Sequence, residues 1–442
     1  MWRSLRSWPT WAWCCAVVAV EAIVVLGVLG QSAAGILGGD GPSYDLLAGN
    51  LLHHGAFSLS EAAPWTPTVY RSPGYPALLL MLHLAGLGSV VGVRIAQFAV
   101  VAVLAVVVGR VAREVGGPRA ERPAALLAAT YLPLLWLATQ HMTEVVASAV
   151  LCGAVWALVR AATPRGWAIA GALLAAAVYV RPSLLLLAAP VAVALVVSTR
   201  RWTAGAAFLA ALVVAIAPWM ARNGALIGGV LPMSSASGGS QWISAEQWTG
   251  RLPMELTGRD WVPIKEQTRA VTRPYRLAPG GFTPRRQVAA DAAFASLARW
   301  DDVGVGDVAR RLPARLFALW GPVDQTPTGE RWTDSLRRLL WLQWALLVAL
   351  TACGLWLRRS RVWAEWPLWL PAVYLTALHL VFHVEPRYSI PARPLLLVYA
   401  TVGVLALADR RAAARASSLE HAAGGPRIVG GPVAQSVRAA DS

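Results

Sequence analysis

Two acids stand where a carboxylate could accept a proton from a hydroxyl group. Asp40 lies on the glycine-rich turn GGDGPSYDLLAG, directly ahead of a predicted helix, and Glu144 follows Thr143 at another predicted helix start. A positioned carboxylate can serve as the general base for a weakly nucleophilic hydroxyl group. Both acids could instead cap the helices that follow them. Asp40 is the first candidate base and Glu144 the second.

Three arginines lie where they could bind an anionic group. Arg181, Arg222 and Arg387 each follow the predicted outer end of an apolar segment. A guanidinium presents a planar fork of donors that suits a phosphate, so we expect these arginines to bind the phosphate of a ligand. Arg181 and Arg222 could instead reach lipid headgroups, and Arg387 could simply pair with Glu385.

Six further side chains are candidates for binding the rest of a substrate. They fall in the same outer segments as the acids and the arginines, and ionisable groups at a membrane boundary are costly unless they are paired or solvated. The six candidates are Tyr44, Arg71, Tyr75, Asn223, Glu385 and Tyr388. Carboxylates and arginines that converge on one face indicate an anionic ligand held next to a general base.

The composition indicates the elements that must position these residues. Hydrophobic residues make up 57% of the 442 positions and charged residues 14%, whereas soluble domains carry about 25% charged residues. Long apolar segments recur, and backbone polar groups in lipid must be satisfied within helices. The sequence therefore predicts an all-α polytopic membrane protein with about ten transmembrane helices and juxtamembrane helices in the outer loops. The net charge of +16 comes from basic residues scattered at span ends, so no nucleic acid partner is predicted.

The positive-inside rule orients the apolar segments. The basic clusters at 110–122, 200–201 and 358–361 are predicted to be cytoplasmic. Residues 73–88 are apolar but short, and they are interpreted as a juxtamembrane helix because a crossing there would fit the later basic clusters less well. The predicted spans are residues 12–30, 90–110, 123–139, 145–160, 167–180, 183–198, 203–220, 335–357, 363–383 and 389–408.

This topology divides the chain into an N-terminal transmembrane module, an outer segment, C-terminal transmembrane helices and a tail. The tail is rich in Ala, Arg and Gly and is predicted to be disordered and cytoplasmic. The predicted parts are the module 1–222 with its first outer loop 31–72, the extracytoplasmic segment 223–332 with an interface helix at 308–320, the helices within 333–410, and the tail 411–442.

The order of these motifs resembles the GT-C superfamily of polyprenyl-phosphate-sugar-dependent glycosyltransferases, which includes protein O-mannosyltransferases and the lipid A aminoarabinose transferase. The resemblance covers residues 12–408. The motifs that carry it are Asp40-x-x-x-Tyr44 with AGNLLHHGAF at 48–57, Arg71-Ser-Pro-Gly-Tyr-Pro76, Thr143-Glu144, Tyr179-Val-Arg-Pro182, Pro218-Trp-Met-Ala-Arg-Asn223, and Glu385-Pro-Arg-Tyr388 with Pro391.

The resemblance implies a GT-C-type helical bundle in the inner (plasma) membrane that works on its extracytoplasmic face. It implies an inverting transfer of a sugar from a polyprenyl-phosphate donor to an extracytoplasmic acceptor, which could be a cell-envelope glycan, a lipid or a protein. The acid of the first outer loop is the family's proposed base, and by position that acid is Asp40. The family often has two adjacent acids there, whereas this chain has Gly39-Asp40-Gly41. No cofactor is therefore predicted, although a divalent metal is possible.

A transporter or flippase of lipid-linked substrates is the alternative from another functional class. It would favour internal repeats and charges near the bilayer midplane. No repeat is apparent in the sequence, and apart from Glu21 the charges lie at span ends. The sequence therefore favours the enzyme, with membrane lipids, a lipid-linked sugar donor and an outer acceptor as partners.

Overall fold

The computed structural model describes residues 8–28, 39–256, 259–278, 281–323 and 334–422. In these ranges every named element is a helix, and the only β-type pairing is one isolated bridge between Ser58 and Pro67. The predicted all-α class is confirmed.

The first nine α-helices belong to the N-terminal half. They are α1 (Thr10–Ile23), α2 (Gly41–His54), α3 (Gly74–Leu84), α4 (Val90–Gly116), α5 (Pro118–Ala129), α6 (Leu132–Leu137), α7 (Glu144–Arg160), α8 (Pro164–Val180) and α9 (Ala188–Thr199). A π-helical turn at Val24–Val28 extends α1, and a 3-10 segment at Pro182–Leu187 leads into α9.

The remaining helices alternate between bundle and outer segment. They are α10 (Trp202–Ile227), α11 (Gly238–Thr249), α12 (Trp261–Leu277), α13 (Pro284–Ser296), α14 (Val305–Trp320), α15 (Asp334–Leu357), α16 (Trp366–Val381) and α17 (Arg393–Ala422), with 3-10 turns at Trp300–Asp302 and Pro386–Ser389.

Five described segments are long and apolar enough to cross a bilayer, so the chain is an integral membrane protein. They are Thr10–Gly27, Val90–Gly116, Pro182–Thr199, Trp202–Ile227 and Asp334–Leu357. Helices α3, α8 and α16 are apolar but shorter. At 1.5 Å per residue α3 is about 16 Å long, roughly half the hydrocarbon core. This agrees with its interpretation as a juxtamembrane helix, while the count of about ten spans stays a prediction.

Glycines let the long helices pack closely. A side chain at Gly171 of α8 would collide with the Phe208 carbonyl of α10, and one at Gly354 of α15 would collide with the Tyr399 carbonyl of α17. Small residues at such crossings bring two backbones together, which is how helices associate in a bilayer where apolar burial gives little drive. These contacts fix the frame on which the outer segments rest.

Two predicted boundaries differ from the structure. The span predicted at 123–139 is broken between α5 and α6 at Thr130 and Tyr131, because Pro133 in the first turn of α6 has no N–H to continue the helix. The tail predicted to be disordered from residue 411 continues as helix to Ala422. That stretch is rich in alanine and arginine, which are strong helix formers. Residues 423–442 lie outside the described residues.

The outer segment forms a cap of short helices. The predicted interface helix at 308–320 is present as the larger part of α14, and it buries Ala318 and Leu319. Ile243, Leu256 and Ile264 form a small apolar cluster that joins α11 to α12. The predicted end of this segment, residues 324–332, lies outside the described residues. This cap covers the ends of the bundle helices that carry the candidate residues.

Candidate active site

A cavity of about 800 Å³ lies between the ends of the bundle helices and the cap. Its walls come from the first loop at residues 59–71, the 3-10 segment after α8, the helices α11 to α13 and the end of α16. Five of the candidate residues line it, namely Asp40, Arg71, Arg181, Arg387 and Tyr388. Segments far apart in the sequence therefore bring a carboxylate and three arginines to one cavity.

Asp40 occupies the N-cap position of α2, but its side chain makes no capping hydrogen bond. Instead Arg71 donates from Nη2 to Asp40 Oδ1 at 2.6 Å. The Asp40 side chain keeps 36% of its surface exposed, whereas Arg71 keeps 18%. The carboxylate is thus held by one arginine and stays open to the cavity, which a residue that only caps a helix would not need.

The charges around Asp40 set its ionisation. Burial works against the charged form, but Arg71 and, more weakly, Arg387 outweigh it and hold the pKa of Asp40 below its usual value. Asp40 is therefore ionised across the neutral range. Arg387 acts on Asp40 through space, which places the two groups in one electrostatic site.

Arg181 and Arg387 share a buried carboxylate. Glu144, the first residue of α7, is 1% exposed, and its Oε1 lies 3.1 Å from Arg181 Nη1 and 3.7 Å from Arg387 Nη1. Both guanidinium groups also lie 5.2 Å from the centroid of the Tyr388 ring. One anchor and one aromatic surface thus fix both arginines next to the cavity. We call Glu144, Arg181, Glu385, Arg387 and Tyr388 the arginine cluster.

Glu385 completes this cluster from behind. Its Oε2 accepts from Arg387 Nε at 2.5 Å, and its Oε1 lies 3.1 Å from His383 Nε2. Burial alone would raise the pKa of Glu385, but Arg387 and His383 outweigh burial and hold it well below its usual range. The backbone of Glu385 is extended, and a single 3-10 turn at Pro386–Ser389 follows it. Glu385 therefore stays charged and holds Arg387 in place.

Sequence reasoning did not identify His383. This residue lines the cavity, its Nδ1 lies 2.7 Å from Ser240 Oγ in α11, and its Nε2 lies 2.7 Å from Tyr388 Oη. It joins the cap to the arginine cluster. The only sequence signal for it is the spacing His383-x-Glu385, which is too short a pattern to predict the contact with Ser240.

A contact between a histidine and an aspartate, which the sequence did not predict, supports the elements that carry Asp40 and Glu144. His141 Nδ1 lies 2.9 Å from Asp45 Oδ2, and His141 is 3% exposed. This pair ties α2, which follows Asp40, to the loop that precedes Glu144. The two predicted base candidates are thereby held on neighbouring elements.

The other predicted site residues do not line the cavity. Tyr44 and Tyr75 pack edge to face at 5.2 Å in a buried cluster, and Arg71 lies 5.3 Å from the Tyr44 ring centroid. Asn223 is fully buried and donates to the Leu231 and Met233 carbonyls. These three side chains support the walls and do not reach the cavity surface. Their predicted contacts with substrate stay predictions.

Arg222 is also away from the cavity surface. Its Nη1 donates to the Thr68 carbonyl and to Asn223 Oδ1, each at 3.0 Å, and its guanidinium lies 4.4 Å from the Trp219 ring centroid. These contacts tie α10 to the first loop. The structure does not bring Arg222 to Arg181 and Arg387, with which it was predicted to act.

Among the described residues no group of three or more His, Cys, Asp or Glu side chains is placed to hold a metal ion. Asp40, Asp45, Glu144 and Glu385 are instead engaged with arginine or histidine, and Asp291 accepts hydrogen bonds from the backbone N–H groups of Ser237 and Gly238.

The comparison with solved structures finds partial likeness to two proteins. The Archaeoglobus fulgidus oligosaccharyltransferase in its apo form is 15% identical, with a TM-score of 0.46, covering 93% of this chain and 52% of that one. The same enzyme tethered with an acceptor peptide gives 15% identity, a TM-score of 0.45, and coverage of 90% and 50%. ArnT from Cupriavidus metallidurans bound to undecaprenyl phosphate is 16% identical, with a TM-score of 0.42 and coverage of 89% and 78%. The chain spans about half the length of the oligosaccharyltransferase chains.

No curated protein matches the chain. Residues 71–221 match the family model of dolichyl-phosphate-mannose-protein mannosyltransferases. The matched region begins at Arg71, contains Glu144 and Arg181, and ends directly before Arg222. Over this region the resemblance to the GT-C glycosyltransferases, drawn above from the motifs, is confirmed.

Proposed function

We propose that the protein is an inverting glycosyltransferase that moves a sugar from a polyprenyl-phosphate donor to an extracytoplasmic acceptor. The observation that carries the proposal is the composition of one cavity, in which the exposed carboxylate of Asp40 faces the same space as the fixed guanidinium groups of Arg181 and Arg387. The match of residues 71–221 to a glycosyltransferase family supports it.

In the proposed reaction the acceptor hydroxyl oxygen attacks the anomeric carbon from the face opposite the phosphate. Asp40 takes the hydroxyl proton as the new carbon–oxygen bond forms. The bond between the anomeric carbon and the phosphate oxygen breaks, and its electron pair stays on the leaving phosphate. The products are the glycosylated acceptor with inverted configuration, polyprenyl phosphate, and a proton on Asp40.

The arginine cluster meets the charge that develops on the leaving group. A phosphodiester carries one negative charge, and the released lipid phosphate gains a second as the bond breaks. Arg181 and Arg387 are already oriented by Glu144, so they stabilise this charge without having to reorganise. We assign Glu144 to this anchoring role rather than to the role of base, because its side chain is buried beneath the cavity.

Donor binding also tunes the base. Arg71 and Arg387 lower the pKa of Asp40, which keeps it ionised but makes it a weak base. A bound phosphate places negative charge beside these arginines and offsets their effect on Asp40. We therefore propose that the pKa of Asp40 rises when the donor binds, so that the base strengthens when it is needed.

The lipid tail has a route to this site along apolar surface. Pro182, Leu185 and Leu186 line the cavity on one side, and Tyr374, Leu378 and Phe382 line it on the other. Leu186 is 64% exposed at the outside of the bundle. A prenyl chain lying between the 3-10 segment and α16 would place its phosphate near Arg181.

Comparison of two strains tests the proposal. Cells that express Asp40→Asn should accumulate one polyprenyl-phosphate sugar and lose one envelope glycan modification, relative to cells that express the wild-type chain. Glu61→Gln, which removes an exposed acid from the same loop, is the matched control and should behave as wild type. Unchanged lipid-linked sugars and glycans in the Asp40→Asn strain would contradict the proposal.

The same experiment separates the enzyme from the transporter alternative. A flippase carries the lipid-linked sugar across the membrane without breaking its phosphate bond, so its loss would trap the sugar lipid on the cytoplasmic face. An enzyme defect leaves the sugar lipid on the outer face. Periodate or lectin access to the accumulated lipid in intact cells distinguishes the two outcomes.

A further inference from the structure

One helix of the cap carries a row of cationic side chains that the proposed reaction does not use. Lys265, Arg269, Arg273 and Arg276 are spaced so that they share one face of α12, and all four are exposed. We call these four residues the cationic ridge. Glu266 is the only acid within this helix. A one-sided row of like charges costs free energy by self-repulsion, so its presence calls for an opposite charge.

The rest of the cap does not provide that charge. Arg299 and Arg310, two other exposed arginines of the cap, are paired with Asp302 and Asp307. In the described ranges no member of the cationic ridge forms an ion pair, and Arg276 contacts only the ring of Phe282, at 4.9 Å from its centroid. The ridge is therefore an open site for an anion from outside this chain.

The ridge lies on a helix that also lines the active-site cavity. Ile264, Thr268 and Thr272 of α12 line the cavity, and each precedes a ridge residue by one position. Arg276 in the last turn belongs to both faces, since it also lines the cavity. The ridge thus runs along α12 beside the cavity face and meets it at Arg276.

The orientation of α12 argues for a soluble or glycan anion rather than bilayer headgroups. A helix that binds a membrane surface inserts its apolar face into the lipid and places its cations beside it. In α12 the apolar side packs inwards, where Ile264 is buried with Ile243 and Leu256 against the cap. The middle of the apolar face is therefore already occupied by the protein at Ile264, and exposed large apolar side chains remain only towards the helix ends, at Val262 and Leu277.

We propose that the cationic ridge binds the acceptor and that the acceptor carries several phosphate or carboxylate groups. This inference rests on the proposed function, because it names the acceptor class of the same site. The ridge would attract a polyanionic glycan or glycolipid by long-range charge and align it with α12, so that a hydroxyl group reaches Asp40. The donor phosphate is held separately by the arginine cluster.

A binding experiment on the full chain in nanodiscs tests this inference. The probe is a fluorescent oligogalacturonate, with a maltodextrin of equal length as its uncharged counterpart. The variant R269Q/R273Q removes two ridge charges, and R299Q/R310Q removes two exposed charges elsewhere on the cap. In phosphatidylcholine nanodiscs at low salt, we expect the ridge variant to weaken oligogalacturonate binding about three- to tenfold and the control variant to change it less than about twofold.

Three further measurements complete the test. The difference between the two variants should disappear at about 0.5 M salt, where exposed charges are screened, and maltodextrin should not distinguish them. Adding phosphatidylglycerol to the nanodiscs should leave the difference intact. Equal binding by the two variants would overturn the inference, and so would loss of the difference with phosphatidylglycerol, which would mark the ridge as a headgroup anchor. Binding of undecaprenyl phosphate, measured on the same samples, should not depend on the ridge. If the wild-type chain did not bind undecaprenyl phosphate, that result would count against the proposed function and not against the ridge.

Discussion

The two sides of the cavity differ in how their charges are held. In the arginine cluster each arginine meets a buried carboxylate and the ring of Tyr388, and the side chains of Arg181 and Arg387 are only 11% and 12% exposed. On the other side Asp40 has Arg71 as its ion-pair partner and is 36% exposed. A group that stabilises charge gains from being fixed in advance, whereas a group that exchanges a proton must reach its substrate.

This contrast explains why the acids near the cavity cannot share one role. Glu144 and Glu385 are buried counterions whose negative charge holds Arg181 and Arg387 in position. Removing one partner of a buried ion pair leaves an uncompensated charge. Asp45 supports His141, and Asp291 accepts hydrogen bonds from the backbone N–H groups of Ser237 and Gly238, whereas Asp40 faces the cavity beside Arg71 with free surface. Burial therefore separates the proposed base from the anchors.

The largest expected effect is on Asp40. Asp40→Asn keeps the size of the side chain but cannot take the acceptor's proton, so turnover should fall on the order of 10²- to 10⁴-fold. Thermal stability should change little, because the side chain makes no capping hydrogen bond and the asparagine oxygen can still accept the hydrogen bond from Arg71. Initial rates and thermal unfolding of the purified variant, next to Glu61→Gln, check both points. Near-normal turnover with lowered stability would make Asp40 a structural residue.

The next effect is on the arginine cluster. Arg387→Lys keeps the charge but loses the fork that reaches Glu385 and the cavity together, so turnover should fall about 10²-fold. Arg359→Lys, an exposed arginine with no carboxylate partner among the described residues, is the control. Steady-state kinetics with saturating donor give the comparison. If both variants turned over alike, the cluster would not act on the leaving group.

A smaller effect is expected from the partner of the base. In Arg71→Gln the largest contribution that lowers the pKa of Asp40 is gone while its burial remains, so that pKa should rise. Asp40 acts as a base only when it is deprotonated. Wild-type activity is therefore lost only when the pH falls below the low pKa of Asp40. Because that pKa is higher in Arg71→Gln, the acid limb of the variant's pH–rate profile should lie at higher pH than that of the wild type. Turnover at pH 8 should fall less than about tenfold, because the base is still ionised there. A pH–rate profile with an unmoved acid limb would contradict this coupling.

The smallest effect is expected at Arg222. Lysine there can still donate to the Thr68 carbonyl, so turnover should stay within about threefold of wild type, with a loss of stability of about 1 kcal/mol from the weaker stacking on Trp219. Turnover and thermal unfolding of Arg222→Lys decide the matter. A loss as large as that of Arg387→Lys would support the prediction that Arg222 binds the donor phosphate.

The sequence predicted the class of fold and the segments that carry the site, because hydropathy and charge at span ends are local properties. It named Asp40, Arg71, Arg181, Arg387 and Tyr388 as members of one outer face, and these residues do line one cavity. Their individual roles stay proposals. The all-α bundle likewise follows from apolar segments that have no other way to satisfy their backbone in lipid.

The local pair of Arg387 with Glu385, which the sequence offered as an alternative, is present, but burial and pairing between distant segments could not be predicted. Glu144 and Arg222 carry the same sequence signals as Asp40 and Arg181, yet one lies beneath the cavity and the other faces the first loop. Arg315 gives no signal beyond one arginine in an amphipathic helix, although it is 1% exposed and donates to the His379 and Phe382 carbonyls. The burial and the partners of such groups follow only from the tertiary contacts between the cap and the bundle.

The most direct test is a paired binding measurement with undecaprenyl phosphate on purified Asp40→Asn and Arg387→Lys. The account assigns phosphate binding to the arginine cluster and proton transfer to Asp40. It predicts that Asp40→Asn binds the lipid phosphate at least as tightly as wild type, because a nearby negative charge is gone, and that Arg387→Lys binds it about tenfold more weakly. Weakened binding in Asp40→Asn together with normal binding in Arg387→Lys would contradict the account.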